Sequence, residues 1–169
     1  DPYSAHNRVS AVAQDPAGFL WLGTEAGGLL RFDPDMGDFV AHTPQGGLLW
    51  NQVQGIVAVD APSGDGGVVL WLSTNRGLAR YEPGTGSVRI YDVNDGLPAI
   101  AFNQGAVYQG PDGELLLGSV GGLVSFYPDE IVDDPRIPAV FITELQVNNQ
   151  PVAVGNGSLL DRSILETGE

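Results

Sequence analysis

Two histidines, a loose run of aspartates and two glycine pairs are the residues of this chain whose types could do chemistry. His6 and His42 lie 36 positions apart, and neither sits in an H-x-x-H or H-E-x-x-H context, so a general base or metal ligand lacks its partner nearby. His42 falls in "DFVAHT", an expected outer strand, where a surface placement is the reading. No G-x-S-x-G elbow is present to anchor a serine nucleophile. "DPDMGD" (33–38) brings Asp33, Asp35 and Asp38 into one turn, yet it lacks the ligand spacing and distal Glu of a calcium loop. A strand-connecting turn accounts for all of its residues, and "EIVDDP" (130–135) reads as a solvated linker. The pairs Gly27–Gly28 and Gly121–Gly122 are followed by no helix, so they are turn glycines and not a phosphate cradle. The expectation is no catalytic residue, no metal and no cofactor.

Composition narrows the class. The 169 residues carry 21 acidic side chains against seven arginines, for a net charge of −14. Nucleic acid and anionic membrane both demand a cationic face, so neither is an expected partner. The 24 Gly and 12 Pro favour many turns over long helices. No apolar run approaches the ~20 residues of a membrane-spanning helix. The absence of Cys removes disulfides and thiolate chemistry without fixing a compartment.

The glycines and tryptophans recur in register. "GFLWLGTEAGGLLRFDP" (18–34) returns as "VVLWLSTNRGLARYEP" (68–83) and as "GELLLGSVGGLVSFYP" (113–128). Trp21, Trp71 and Leu116 align, each between two leucines, followed by a small pair, a turn and a Gly-Leu step. Phe32, Tyr81 and Phe126 follow at one offset, and the runs end at Pro34, Pro83 and Pro128. An alternating stretch opens each unit after an Asn (7–15, 51–60, 103–110), and "DFVAHT" and "SVRIYDV" close the first two. The unit therefore reads as four short strands over roughly 45 residues, the signature of a β-propeller blade. "FLWL" and "VLWL" are apolar at every position, as middle strands buried on both faces should be. The expected fold is all-β: a partial propeller of about three four-stranded blades at 7–50, 51–102 and 103–135.

"DPAGFLWLGTEAGGLLRFDPDMGDFVAHT" resembles the two-component-regulator propeller repeat: an Asp, a Gly, Leu-Trp, a small-Thr pair, Gly-Leu, then an aromatic-Asp. The second unit departs only in the "APSGDGG" insertion and in Ser73 for Gly; the third, with Leu116 for the Trp, resembles the last blade of such propellers. "RIPAVFITELQVNNQPVAVG" (136–155) resembles the first strand of the Ig-like domain, named for its tyrosines, that follows them, so 136–169 is expected to begin that domain. The resemblance implies a non-catalytic, periplasmic or extracellular ligand-sensing segment of a membrane-anchored two-component sensor, with oligosaccharide among its possible ligands. An interaction scaffold is the alternative, and a propeller lyase or hydrolase a more distant one.

Three blades leave two open sheet faces. The expectation is a piece of a longer propeller whose faces take neighbouring blades or a second copy. Trp21 and Trp71 recur at the repeat period and are assigned to the core. Trp50 is off that register, in the inter-blade loop "TPQGGLLWNQ" (43–52). Inter-blade loops and the turns after the Trp strands open on one face. There Glu25, Asn75, Arg76, Trp50, Phe102 and Asn103 form the candidate ligand surface, an aromatic platform beside polar groups that suits a sugar.

Overall fold

A computed structural model describes residues 8–42, 52–61 and 66–131, and the backbone of 146–147 and 150–151. The first sheet contains β1 (Val9–Gln14), β2 (Leu20–Thr24), β3 (Leu29–Asp33) and β4 (Asp38–His42), hydrogen-bonded in chain order. The second repeats the pattern with β5 (Val53–Asp60), β6 (Val68–Thr74), β7 (Gly77–Glu82) and β8 (Ser87–Tyr91). The third holds β9 (Phe102–Gln109), β10 (Leu115–Ser119) and β11 (Gly122–Phe126). All pairings are antiparallel. Among the described residues the third sheet has three strands, where the repeat leads one to expect four.

The turns follow from residue type. In "DPDMG" the amide of Gly37 donates to the carbonyl of Asp33 at 2.8 Å, and in "EPGTG" Gly86 does the same to Glu82 at 2.8 Å. Both glycines stand at φ 72°, a left-handed backbone that side-chain-bearing residues resist. Asp33 Oδ1 also accepts from the amides of Asp35 (2.9 Å) and Met36 (3.1 Å), so the aspartate run is consumed in shaping its turn.

Stacking of the blades follows from strand alternation. Trp21 leaves its sheet on the side of the second blade and is buried with Leu70, Leu72, Tyr81, Val53 and Ile56. Trp71 leaves the second sheet toward the third blade and is buried with Leu115, Leu117, Val124 and Phe102. Each Trp thus faces the blade that follows, and Leu70 and Leu72, which flank Trp71, face the first blade. Two further rings close each seam. At the first, His42 meets Trp21 edge-on at 4.8 Å and Tyr81 at 6.1 Å. At the second, Tyr91 stacks on Trp71 at 5.6 Å and Phe126 meets it edge-on at 4.7 Å. His42 and Tyr91 hold corresponding positions, opposite Leu29 and Leu78 in their ladders. Gly23 lets the sheets approach: a Cβ there would lie 2.7 Å from Val53 Cγ1.

Of the Trp strands, β6 is covered on both faces and β2 on one. Leu20 and Leu22 are half-buried, and on their side of the first sheet Val12 is 59% and Phe39 48% exposed. On the far side of the third sheet Leu116 is half-buried, and Tyr108 and Leu123 are 61% and 66% exposed. The blades lie within a unit that ends at Val132. In the second unit, Asp133–Glu169, β12 (Gln146–Val147) and β13 (Gln150–Pro151) form a short antiparallel pair.

Removing a fully buried indole from a packed seam costs about 3–5 kcal/mol. Trp71→Ala should therefore lower the urea midpoint far more than Leu116→Ala, whose side chain lies on an open face. Equal losses in the two denaturation curves would contradict the seam as the source of stability.

Candidate functional site

The turns after the Trp strands are built by one hydroxyl each. Thr24 Oγ1 accepts from the amide of Gly27 (2.7 Å) and donates to the carbonyl of Gly28 (3.0 Å). Thr74 Oγ1 accepts from Arg76 (3.0 Å) and donates to Gly77 (2.7 Å). Ser119 Oγ accepts from Gly121 (3.2 Å) and donates to Gly122 (2.9 Å). All three hydroxyl residues are buried, so the small-Thr step of the repeat is a clamp that fixes each turn from below. The turns stand at the same end of their sheets as the inter-blade connections, because four antiparallel strands end where the turn between the second and third lies.

That end presents part of the expected surface. Glu25 is half-buried, pairs with Arg8 at 3.3 Å and donates its amide to the Arg8 carbonyl at 3.0 Å. Asn75 and Arg76 stand exposed at the tip of their turn, and Asn103 is exposed on β9. Phe102 does not belong to the surface: it is 5% exposed within the second seam, because its strand is innermost and its ring points toward Trp71's cluster. Trp50, with His6, lies outside the described residues. The connection before β9 is ordered by a capping box, Asp92 accepting from the amide of Asn94 (2.7 Å) and Asp95 from that of Asp92 (2.9 Å). The Val120 amide then joins it to the third blade through the Ala101 carbonyl at 3.0 Å.

A cavity of about 250 Å³ lies at the opposite end of the first seam, lined by Asp15, Phe19, Trp21, Arg31, His42 and Asp60 among others. Asp15 Oδ2 accepts the indole N–H of Trp21 at 2.8 Å, and Oδ1 accepts the amide of Phe19 at 3.0 Å. The Arg31 guanidinium rests over the Phe19 ring at 4.5 Å. His42 is not on the surface as expected; it is half-buried because its ring fills the space between Trp21 and the second blade. Its Nδ1 and the Tyr81 hydroxyl share a hydrogen bond of 3.1 Å across the seam. Burial, and then the nearby Arg31 charge, hold the His42 pKa below its ordinary value, while burial raises that of Tyr81. At the second seam a cavity of about 210 Å³ is lined by Trp71, Tyr91, Leu97 and Phe126 among others. There Trp71 Nε1 is buried without a hydrogen-bond partner among the described residues; Val59 stands in the ladder where Asp15 follows Ala13. Among the described residues no three His, Asp or Glu side chains converge as metal ligands. Asp15, a buried carboxylate, spends both oxygens on residues of its own blade, and His42 Nδ1 bonds Tyr81 of the next, an arrangement for holding shape.

Antiparallel sheets stacked face to face through recurring Trp strands define a β-propeller repeat protein. Residues 3–26 match the two component regulator propeller family. Over 96 residues it is 34% identical to "Histidine kinase P4" of Formosa agariphila, covering 57% of this chain and 7% of that one. Two crystal structures of the extracellular domain of BT4673 from B. thetaiotaomicron are similar in fold. They are described as parts of a hybrid two component and a one component system, at 20% identity. Their TM-scores are 0.53 and 0.54, covering 69% and 70% of this chain and 15% of theirs. The chain thus spans a small fraction of the relatives it matches. Among the described residues no helix is long and apolar enough to cross a membrane.

The Asp15–Trp21 bond links a turn to the seam. Asp15→Ala leaves a buried indole N–H unpaired and should cost about 1–3 kcal/mol in urea denaturation. Asp60→Ala, an exposed carboxylate in the same cavity, should leave the midpoint within about 0.5 kcal/mol of the parent.

Proposed function

We propose that this chain is a non-catalytic ligand-sensing segment of a two-component sensor, standing outside the membrane that anchors the full protein. The observation that carries the reading is the repeat itself: two Trp seams of one geometry, in a chain that matches the two component regulator propeller family and a histidine kinase. The use of His42 and Asp15 in packing supports a binding role over an acid–base one. The ligand surface is the turn end, where buried hydroxyls hold Asn75, Arg76 and Glu25 at fixed positions and Asn103 stands nearby in sequence to the inter-blade connection. Trp50, in the sequence of the inter-blade loop at 43–52, is the proposed stacking residue. Arginine and amide donors beside an aromatic ring suit an oligosaccharide, whose hydroxyls need partners and whose C–H faces need a flat apolar surface.

The second reading is an interaction scaffold, and the exposed Tyr108, Leu123, Val12 and Phe39 favour it. These sheet faces have the composition of the buried seams, so they accept either further blades or a second copy of the chain.

A panel of oligosaccharides should raise the melting temperature of the full-length sensor, and Arg76→Ala with Asn75→Ala should weaken the apparent affinity about tenfold, the loss of roughly 1.4 kcal/mol. Binding that survives both substitutions would remove the turn end from the site. No shift with any sugar, together with a partner protein bound through Tyr108 and Leu123, would replace sensing with scaffolding.

A further inference from the structure

The two seams share a plan and differ in the rings that close them. The second is closed by Tyr91 and Phe126 around Trp71, the first by His42 and Tyr81 around Trp21. We infer that His42 is a proton-sensitive latch between the first and second blades. It closes the seam when neutral and loosens it when the ring takes a second proton.

The geometry assigns the two ring nitrogens different tasks. Nδ1 shares its bond with the Tyr81 hydroxyl, which can donate or accept, so that contact is compatible with either state of the ring. Nε2 decides the matter, since it is buried and meets no hydrogen-bond partner among the described residues. Neutral imidazole can leave its lone pair there at modest cost. Imidazolium would place a charged N–H donor in the seam with no described group to receive it.

Of the charged groups around the ring, Arg31 is the one that shifts it, and it opposes a second proton. On β3, Arg31 adds a like charge. In the turn before β2, Asp15 is the buried carboxylate, and both its oxygens already accept from Trp21 and Phe19. From the second blade, Tyr81 on β7 is neutral at these pH values, and Asp60 at the end of β5 is exposed in the shared cavity. Asp33 and Asp38 lie at the far end of the β3–β4 ladder, Asp33 holding its own turn. No described carboxylate forms an ion pair with His42, and burial, then the Arg31 charge, holds its folded pKa below the ordinary 6.5. A base shifted downward on folding contributes stability in full above 6.5 and loses it as pH falls below that value toward the lowered one.

The test uses the whole chain between pH 8 and pH 5. Imidazole resonances followed by NMR, assigned by their loss in His42→Phe, should give a His42 midpoint below 6.5. The indole N–H of Trp21 should shift with that midpoint while that of Trp71 does not. The melting temperature should fall by a few degrees over this range in the parent, and the fall should shrink in His42→Phe. That variant keeps a ring edge on Trp21 but cannot titrate. A His42 midpoint at or above 6.5 would overturn the latch, and so would equal movement of both indoles. Because the titration is read on the parent chain, the outcome stands even if the variant unfolds, and it is independent of ligand binding.

Discussion

The fold depends on one contact made twice: a tryptophan leaving the second strand of a blade and landing between two leucines of the next. Trp21 on Leu70 and Leu72, and Trp71 on Leu115 and Leu117, are its two instances. Each buries a large apolar side chain completely, and apolar area removed from water is the main favourable term a small sheet can gather. A four-stranded meander alone has no second layer. The seam supplies it, which is why the stabilising unit is a pair of blades and not a blade.

The same contact orders the rest of the molecule. Because Trp and Leu alternate along one strand, a blade offers two different faces, one receiving an indole and one presenting it. Stacking is therefore directional, and the first and third blades keep an unsatisfied face of each kind. The hydroxyl clamps act at right angles to this, fixing the turns at one end of every sheet so that their side chains project from a rigid base. The seams leave small cavities where packing aromatics differ in shape, and there the variable chemistry of the repeat collects: Asp15 and His42 at one seam, Val59 and Tyr91 at the other.

Much of this was legible in the sequence because the repeat is a physical unit. The aligned Trp, Leu, small-Thr, Gly-Leu and aromatic steps located eleven strands in three sheets, and their all-apolar middle runs announced burial on two sides. The unevenness was less legible. A run such as "FLWL" says that both faces are apolar, and it cannot say that one of them lacks a covering blade. Phe102 looked like a platform residue because it follows a loop, yet bending of the chain into an innermost strand turned its ring into the core. His42 looked like a surface residue because its strand is outermost, but the next blade covers that strand from the side. Of the proposed ligand surface, Asn75, Arg76 and Glu25 could be placed from the turn pattern. Asp15's bond to an indole six residues on needed the hairpin to bring them together.

The sequence by itself determined the all-β class, the blade period, the direction of the alternation and the identity of the turn residues, since these rest on short-range periodicity and backbone preference. Only the tertiary structure decided which blade receives which tryptophan, that the small-Thr step is a buried clamp, and that a histidine closes the first seam where a tyrosine closes the second. The first and last of those outcomes depend on contacts between residues some forty to fifty positions apart, whose geometry is set by how sheets pack and not by any local pattern of residues.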